Sequence, residues 1–354
     1  MSRSTSRTNS TKVFVFELAS CSNVELSPGI VVEGLGMFST LMRDFSLVST
    51  PSSFSRPGVI EGLSEYFAPD RWKSRIELVH SEECERDDKN SYDQALELFE
   101  EWCERCDRVI AIAPEDEMML YEFSRIADKH CNLGCSSKVV KVCSDKWKIY
   151  NRLKSTVNLP ETSLSPLSVE RQLVKPRTSC GGYGIGFYDG NDGKAKSVIY
   201  QEFVEGINLS VSLIVGDSVA VLSVNEQVLK GFEYFGAVVP ARISNRVRKE
   251  VEDVATEVAS RLGLRGYCGV DIVYSDVPYV VDVNARFTTP SVAFLAAYGF
   301  NLGKMLLENY EKGSVEIPCA ESQRRVCLKK RGDGEKIVWF GGEWIALSYA
   351  VNTF

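Results

Sequence analysis

The stretch from Tyr279 to Pro290, YVVDVNARFTTP, carries three polar side chains at alternate positions of an otherwise apolar β-strand. Strand side chains alternate with a period of two, so Asp282, Asn284 and Arg286 share one face. The opposite face is predicted to be apolar and consists of Val281, Val283 and Ala285. One face can pack in the core, which leaves a carboxylate, an amide and a guanidinium to contact a ligand.

The segment before this strand predicts a partner for it. GVDIVYS, which ends at Ser275, has the composition of a strand, and Asp276 and Pro278 are turn formers. The two strands therefore form a predicted hairpin. With a two-residue loop, Ser275 pairs with Pro278, and counting back places Asp271 directly opposite Asp282.

Two opposed carboxylates need a compensating charge. Their Cβ atoms are about 5 Å apart in such a pair, and the like charges repel unless one group is protonated or a cation lies between them. A hard divalent cation with oxygen ligands fits Asp271 and Asp282, and Asn284 offers a third oxygen. A solvent-facing polar strand in a slipped register is the alternative interpretation.

The composition is typical of a globular protein with an ordinary core. The chain has 354 residues, 44% of them hydrophobic and 25% charged, which predicts two or three domains. A net charge of −7 argues against a nucleic-acid or acidic-membrane partner, and no apolar run reaches membrane-spanning length. The polar start MSRSTSRTNS predicts a disordered tail rather than a secretory signal. Eleven cysteines, odd in number and scattered, are typical of free thiols in a cytoplasmic protein.

One group of cysteines has the spacing of a zinc site. Cys103 and Cys106 form a C-x-x-C pair, and His130, Cys131 and Cys135 follow. The surrounding sequence YDQALELFEEWCERCDRVIAIA predicts a helix that leads into a strand, and free cysteine is a common small core residue. We therefore expect buried thiols, with zinc as the alternative. The chain has only 2 histidines, which argues against a histidine-dependent catalytic triad.

The N-terminal part alternates strands and helices. KVFVFELAS, FSLVST and RVIAIAP predict strands, and GIVVEGLGMFSTLMRDF and EDEMMLYEFSRIADKHC predict helices. This alternation is typical of a parallel α/β layer. Ligands bind beyond the carboxyl ends of such strands, where Glu17, Pro114 and Glu115 are expected. No G-x-G-x-x-G follows the first strand, so the dinucleotide fingerprint is absent.

The middle of the chain contains two lysines and a glycine-rich loop. SDKWKIYNRLK predicts a helix with Ser144 as its N-cap and Lys146 in its first turn. A short strand then ends in Lys175, and the range 179–186 is rich in glycine. Glycines let backbone N–H groups approach phosphate oxygens, and the lysine adds charge. Because the lysine precedes the glycines, this is not the G-x-x-x-x-G-K-[ST] loop, and a flexible hairpin tip is the alternative.

The rest of the chain predicts a second, antiparallel layer. SVIYQEFVEGINLSVSLIVGDSVAVLSVNEQ contains three β-rich runs separated by turns. VRKEVEDVATEVASRLGL predicts an amphipathic helix that Gly263 closes, directly before the acidic hairpin. A last helix covers NLGKMLLENYEKG, and short strands follow around KIVWFGGEWIALSYAV.

The order of these segments resembles the ATP-grasp superfamily of carboxylate–amine ligases over about residues 12–310. LVKPRTSCGGYG is similar to the family's phosphate lysine and glycine loop, YQEFVEG to its adenine-binding hinge, and DVNARFTTP to its metal strand. Together with DVNARFTTP, the N-terminal VFVFELAS and SPGIVVEGLGMFSTLMRDF resemble the archaeal tyramine–glutamate ligases of methanofuran biosynthesis, which join the γ-carboxylate of glutamate to tyramine. Related ligases with other pairs of substrates share this layout.

The resemblance implies a mixed α/β and α+β architecture, in which an ATP-grasp fold follows an N-terminal Rossmann-like α/β (pre-ATP-grasp) domain. The expected divisions are a disordered tail at 1–11, the pre-ATP-grasp domain at 12–143, the ATP-grasp domain at 144–312 and a C-terminal β segment at 313–354. Within the ATP-grasp domain, the expected divisions are a lid subdomain at 144–200 and a metal-binding subdomain at 201–312.

The resemblance also implies a role for each motif residue. The residues expected to bind ATP are Lys146, Lys175, Ser179, Gly181, Gly182, Tyr183, Gly184, Gln201, Glu202, Phe203, Val204 and Asn208. The expected ligands of Mg²⁺ or Mn²⁺ are Asp271, Asp282 and Asn284. Arg286 would stabilise charge on an acyl phosphate, with Lys175 as a second catalytic group. The family often has a ribose-binding acid where Asn208 stands and a glutamate where Asp282 stands, so the ribose contact is open and the reach to the metal is shorter.

These roles predict an enzyme that uses ATP to phosphorylate a carboxylate and then couples the acyl phosphate to an amine. The expected partners are a small carboxylate and a small amine, and whether the chain forms a homodimer is open. A nucleotide-sensing module without turnover is the competing class. The complete acid–acid–amide set together with Arg286 argues against that class.

Overall fold

A computed structural model describes residues 11–55, 59, 77–80, 91–190, 197–318, 324–331, 338–340 and 343–352. The tail predicted at residues 1–11 lies outside these ranges except for its last residue. None of the helices within the described ranges combines the length and the apolar composition needed to cross a bilayer.

The N-terminal layer is a four-stranded parallel sheet, as the alternation of strands and helices predicts. Its strands are β1 (Lys12–Glu17), β2 (Thr50–Ser55), β3 (Glu77–His80) and β4 (Arg108–Ile112), in the spatial order β3-β2-β1-β4. Its helices are α1 (Leu18–Cys21), α2 (Pro28–Ser46), α3 (Ser91–Glu104), α4 (Met119–Ala127) and α5 (Ser137–Cys143). Aromatic side chains fill the layer: the ring of Phe16 lies 4.9 Å from that of Phe99 and 4.6 Å from that of Phe123.

The helix predicted from Glu115 begins four residues later than expected. A 3-10 turn covers Asp116–Met118, and α4 starts at Met119. Glu117 and Met118 adopt left-handed backbone conformations with φ of 48° and 65°, which interrupts a regular helix. Glu115 therefore lies in a connection at the carboxyl end of β4 and not within a helix.

The second layer is a small antiparallel sheet that follows helix α6 (Lys146–Leu153). Its strands are β5 (Thr162–Ser163), β6 (Gln172–Pro176), β7 (Gly186–Phe187) and β8 (Val198–Glu202), in the order β5-β8-β6-β7. The predicted N-cap Ser144 is wrong by one residue, because Asp145 accepts hydrogen bonds from the backbone N–H groups of Trp147 and Lys148. Ser144 instead ends α5.

The third layer is an eight-stranded antiparallel sheet. Its strands are β9 (Ile207–Val215), β10 (Val219–Lys230), β11 (Glu233–Val239), β12 (Gly266–Tyr274), β13 (Pro278–Asn284), β14 (Arg325–Arg331), β15 (Val338–Phe340) and β16 (Glu343–Asn352). Their order is β13-β12-β9-β10-β11-β14-β16-β15, so the C-terminal strands extend the sheet that holds the acidic hairpin. Its helices are α7 (Asn245–Leu262), which Gly263 closes at φ 68°, α8 (Phe294–Tyr298) and α9 (Leu302–Lys312).

The acidic hairpin has the predicted pairing of Asp271 with Asp282 but a different turn. Tyr274 pairs with Pro278, so the loop has three residues and not two. A β-bulge after Asp271 compensates for the extra residue. Because of the bulge, the predicted core position of Val281 is wrong. Val281 lines the cleft described below, whereas its neighbour Val280 is buried in the core.

Candidate active site

A single cleft between the small sheet and the large sheet contains most of the residues predicted from the motifs. The predicted residues that line it are Lys146, Lys175, Gly181, Gly182, Gln201, Glu202, Phe203, Val204, Asn208, Asp271, Asp282, Asn284 and Arg286. Ser179, Tyr183 and Gly184 belong to the adjoining glycine loop but do not line the cleft. Sequence segments more than a hundred residues apart thus meet at one place.

The paired carboxylates at the end of the cleft repel each other. Burial raises the pKa of Asp271 to about 6, and the nearby charge of Asp282 adds to the shift. Asn284 donates a hydrogen bond from Nδ2 to Asp271 Oδ2 at 3.1 Å, which opposes the shift without cancelling it. The repulsion between the two carboxylates therefore persists.

This donor set fits a hard divalent cation. Two carboxylates and one amide oxygen are ligands that Mg²⁺ accepts, and such an ion takes its remaining ligands from substrate phosphates and water. A cation between Asp271 and Asp282 would favour the ionised form of both groups. The metal role of these three residues stays a prediction.

Lys146 connects the acidic pair to the glycine loop. Its Nζ lies 3.1 Å from Asp282 Oδ2 and donates a 2.9 Å hydrogen bond to the backbone oxygen of Ser179. Burial lowers the pKa of Lys146, but the charge of Asp282, its hydrogen bond to Lys146 and the charge of Glu115 together outweigh burial, and the net shift is upward. The ammonium therefore stays charged at any pH at which the enzyme would work. Lys146 is the first residue of α6, and Asp145 caps this helix and forms an ion pair with Arg177.

Lys175 lies at the same end of the cleft and differs from Lys146 in its surroundings. Burial lowers the pKa of Lys175 to about 8, because the attraction of Asp282 does not compensate for the lost hydration and Lys146 repels the charge. No hydrogen-bond partner for its Nζ lies among the residues that the structure describes. A buried ammonium of this kind suits an anionic ligand such as a phosphate.

The glycine loop folds tightly over the large sheet. Gly181, Gly182 and Gly184 have φ of 64°, 80° and 73°, conformations that favour glycine. A Cβ on Gly182 would come within 1.9 Å of the backbone oxygen of Phe232, and Gly181 accepts a 3.0 Å hydrogen bond from the N–H of Tyr234. The loop also touches α2, since a Cβ on Gly29 would lie 2.3 Å from the hydroxyl oxygen of Tyr183.

The other end of the cleft is flat and largely apolar. The ring of Phe203 lies 5.0 Å from that of Phe187, and the guanidinium of Arg171 lies 4.2 Å above it. Gln201 is fixed by a 3.0 Å hydrogen bond from its Nε2 to Thr162 Oγ1. The hinge between the small and the large sheet therefore offers the apolar walls that an aromatic base requires.

Arg286 does not point freely into the cleft. Its Nε and Nη2 donate hydrogen bonds of 2.7 and 2.8 Å to the two carboxylate oxygens of Glu115, and its Nη1 donates to Phe287 O at 2.9 Å. Burial lowers the pKa of Arg286, but the charge of Glu115 and its hydrogen bonds, together with the smaller effects of Cys180 and Glu33, raise the pKa overall. The guanidinium still lines the cleft with donors that these three bonds do not use.

The motifs did not reveal several residues of the cleft. Those outside the prediction include Glu33, Ser210, Gln227, Phe232, Tyr234, Thr288 and Thr289. One feature of the sequence could have indicated Glu33 as a site residue: it is an isolated acid in the apolar start of α2. Glu17, expected near the ligand, instead caps α1 through hydrogen bonds from the N–H groups of Ala19 and Ser20.

The cysteines near residues 103–135 do not form a zinc site. Cys103 is buried, and burial raises the pKa of its thiol far above the usual value. Cys131 is exposed, whereas Cys135 lies 3.5 Å from the sulfur of Cys268. No cluster of three or more histidine, cysteine, aspartate or glutamate side chains suited to a metal occurs in the described ranges. These residues are free thiols.

Comparisons with known proteins agree with this geometry. The ATP-grasp domain family matches residues 143–290, and the pre ATP-grasp 3 domain family matches residues 73–140. Over 304 residues the chain is 31% identical to the tyramine–L-glutamate ligase of Methanocaldococcus fervens, which covers 84% of this chain and 93% of the relative. The chain belongs to the ATP-grasp family. A second ATP-grasp relative, the tyramine–L-glutamate ligase of Methanocaldococcus jannaschii, is 30% identical. The alignment covers 84% of this chain and 88% of the relative.

Solved structures show the same ATP-grasp fold. An ATP-grasp superfamily protein from Archaeoglobus fulgidus is 38% identical, with a TM-score of 0.75. The superposition covers 96% of this chain and 99% of the Archaeoglobus chain. The L-amino acid ligase of Bacillus licheniformis, at 16% identity, has a TM-score of 0.64 over 92% of this chain and 81% of its own. The protein is thus an ATP-grasp carboxylate–amine ligase with a pre-ATP-grasp domain, and its family uses ATP with a divalent metal. The expectation of an enzyme, and not a nucleotide sensor, is confirmed.

Proposed function

We propose that this ligase joins the γ-carboxylate of glutamate to the amine of tyramine, with Mg²⁺ as the metal and with ADP and phosphate as the other products. The names of the two curated relatives support this pair of substrates. The observation that carries the chemistry is the acidic pair Asp271–Asp282 with Lys146 and Lys175 at the same end of one cleft. The same activity would place the enzyme in methanofuran biosynthesis.

The first step overcomes the poor electrophilicity of a carboxylate. The carboxylate attacks the γ-phosphorus of ATP, the bond to ADP breaks, and an acyl phosphate forms. Such a transfer depends mainly on positioning and on neutralising phosphate charge, which Lys146 and Lys175 supply. Asp271, Asp282 and Asn284 would hold a divalent metal ion, which would supply further neutralisation of the phosphate charge.

The second step forms the amide. The neutral amine attacks the carbonyl carbon of the acyl phosphate, phosphate leaves from the tetrahedral adduct, and the amine loses a proton. The donors of Arg286 that Glu115 and Phe287 leave free stabilise the oxyanion of that adduct. The glycine loop excludes water, which would otherwise hydrolyse the acyl phosphate. No side chain needs to act as a nucleophile.

We assign the nucleotide to the long axis of the cleft. The adenine lies at the hinge of Gln201, Glu202, Phe203 and Val204, and the phosphates lie under the glycine loop. Asn208 lines the cleft between these two parts and takes the ribose contact that the family often gives to an acid. A side-chain amide can donate hydrogen bonds to hydroxyl groups and accept them, so an asparagine in place of the acid keeps the contact with the ribose.

A matrix of amines and amino acids tests the proposal. Purified enzyme with magnesium–ATP is assayed for ADP and for the amide, with tyramine, phenethylamine, dopamine and ammonia against glutamate, aspartate and glutamine. We expect ADP release only when glutamate and tyramine are both present, with a γ-glutamyl amide as the product. Faster turnover of another pair, or an α-glutamyl product, would show that these substrates are wrong while leaving the ligase chemistry intact.

A further inference from the structure

A buried ion pair lies at the wall of the cleft where α2 meets the large sheet. Glu33 on α2 contacts Nζ of Lys330 on β14, and the two side chains are only 15% and 12% exposed. Thr289 donates a hydrogen bond from its hydroxyl to the other oxygen of Glu33. The pair joins the pre-ATP-grasp layer to the large sheet. Neither residue has a role in the phosphoryl transfer proposed above.

Glu33 faces the reacting end of the cleft. It lines the same cavity as Arg286, Asp271 and Thr289. Its charge also reaches both sides of that cavity, since it raises the pKa of the Arg286 guanidinium and, after burial, that of the Tyr234 phenol. A group bound at Glu33 would therefore lie beside a carboxylate held between the metal ligands and Arg286.

The charges of this pair match the α-carbon end of an amino acid. When the γ-carboxylate of glutamate reacts, its α-ammonium and α-carboxylate remain as a positive and a negative charge on one carbon. Burying either charge without a partner is unfavourable, so a cleft that accepts this end needs one anion and one cation close together. Glu33 provides the anion in the lining of the cleft, and Lys330, which contacts Glu33, provides the cation next to it.

We infer that Glu33 and Lys330 form the subsite that recognises the α-ammonium and the α-carboxylate of the amino-acid substrate. In the free enzyme the two side chains neutralise each other, and the zwitterion replaces that contact with one charge-assisted hydrogen bond to each. Lys330 also lies near the first turn of α2, since a Cβ on Gly29 would be 3.3 Å from its Nζ. The positive end of the α2 dipole favours a carboxylate there. This inference rests on the proposed use of an α-amino acid.

Two truncated substrates separate the two contacts. Glutarate lacks the α-ammonium of glutamate, and 4-aminobutyrate lacks its α-carboxylate, while both keep the reacting carboxylate. We expect the wild type to prefer glutamate to either compound in kcat/KM. In Glu33→Gln the preference over glutarate should fall by roughly 10- to 100-fold, the usual scale of a hydrogen bond between charged groups. In Lys330→Met the preference over 4-aminobutyrate should fall by a similar factor.

Matched controls lie close to both residues. Glu25→Gln changes an exposed acid just before α2, and Lys329→Met changes an exposed lysine next to Lys330 on the same strand. Both should keep the wild-type preferences. Because each single variant leaves one buried charge without its partner, the double variant Glu33→Gln/Lys330→Met serves as the folding control and should lose both preferences.

Several outcomes would overturn the inference. Unchanged preferences in well-folded variants would make the pair a structural contact, and a change confined to the KM for tyramine would assign Glu33 to the amine. If another α-amino acid replaces glutamate in the wild type, the proposed substrate fails, and the subsite is tested with that amino acid and its des-amino analogue. If only carboxylic acids without an α-amino group support ADP release, the subsite itself is refuted.

Discussion

Arg286, two residues after β13, and Glu115, after the end of β4, are joined by two hydrogen bonds across 171 residues of sequence. The pair fixes a guanidinium of the central sheet against the N-terminal parallel layer. Both side chains are nearly inaccessible to solvent, so removal of one leaves the other as a buried, unpaired charge. The contact thus contributes to stability beside the catalytic role that we propose for Arg286.

The first prediction concerns Arg286→Met. The magnesium–ATP dissociation constant should stay within a few fold of wild type, whereas kcat should fall by roughly 100-fold, the usual scale for losing an oxyanion donor. The variant should also lose about 3 to 5 kcal/mol of stability, because Glu115 remains buried without a partner. Calorimetric titration with ATP, a steady-state assay and denaturant unfolding measure the three quantities.

A double variant separates the two parts of this contact. Arg286→Met/Glu115→Gln removes both charges and should recover most of the lost stability without any recovery of kcat. If kcat returns together with stability, Arg286 acts only through folding. A large loss of ATP affinity in the single variant would instead place Arg286 at the nucleotide.

The second prediction concerns Asp282→Asn, which should abolish turnover while the protein stays folded. The substitution removes one of two carboxylates that a divalent ion needs, and it also frees Lys146 from its ion pair. Asp276→Asn is the matched control, since this exposed acid lies in the turn of the same hairpin. Activity near that of wild type in Asp282→Asn at millimolar magnesium would refute the metal assignment.

The third prediction concerns the pH dependence of stability through Asp271. Its pKa of about 6 in the metal-free fold exceeds its ordinary value of 3.8, so folding favours the protonated form. The stabilising contribution is complete below about pH 4 and is lost as the pH rises through 6; above this, the ionised group costs on the order of 3 kcal/mol. Asp271→Asn should therefore be more stable than wild type at about pH 8 in EDTA, with a difference that shrinks toward pH 4.

Saturating magnesium should reverse that order, because the ion stabilises the wild-type pair and not the variant. Urea unfolding at several pH values, with and without magnesium, makes both measurements. A difference between the variant and the wild type that does not change with pH would show that Asp271 is not protonated in the metal-free protein.

The fourth prediction concerns Lys175, whose pKa of about 8 makes its charge dependent on pH. ATP favours the protonated ammonium, so the ATP dissociation constant should rise above pH 8, by up to about tenfold per pH unit. Lys175→Ala should bind ATP more weakly, transfer the phosphoryl group more slowly and lack this pH dependence. Lys154→Ala, at an exposed lysine, is the control. The loop does not cover the phosphates if affinity and kcat are both unchanged in Lys175→Ala.

The fifth prediction compares two glycines of the same region. Gly182→Ala places a Cβ 1.9 Å from the backbone oxygen of Phe232 at a φ of 80°, so the loop cannot keep its closed path. Its kcat should fall by at least about tenfold, because the loop no longer excludes water from the reacting groups. Gly186→Ala meets no atom within 4 Å and should behave like wild type. Equal activities would show that closure of the loop does not limit turnover.

The sequence predicted the parts of the site that depend on local spacing. Strand periodicity alone puts Asp282 and Asn284 on one face, and the pairing with Asp271 holds in the structure. The pairing was predicted correctly but with the wrong turn. A two-residue loop without a bulge and a three-residue loop with a bulge both place Asp271 opposite Asp282. The two turns differ only in the partners of residues 278–281, between the turn and the bulge, and no propensity signals the bulge.

Contacts between distant segments could not be predicted in this way. Glu33 and Lys330 lie almost 300 residues apart, and neither belongs to a periodic pattern that would indicate the other. Glu115 was expected near the ligand, but no local pattern indicates its contact with Arg286. Glu117 and Met118, which follow it, adopt left-handed backbone conformations. Such conformations arise from tertiary packing and not from the preferences of glutamate or methionine.

The contact between Tyr183 and Gly29 bears on how tightly ATP consumption is tied to amide formation. The glycine loop rests there on the first turn of α2, the helix that carries Glu33 one turn further on. A displaced first turn of α2 would therefore disturb both the loop and the helix that carries Glu33. We therefore expect the number of ATP molecules hydrolysed per amide bond to depend on this packing. A larger side chain at residue 29 should increase the ATP hydrolysis that is not coupled to amide formation.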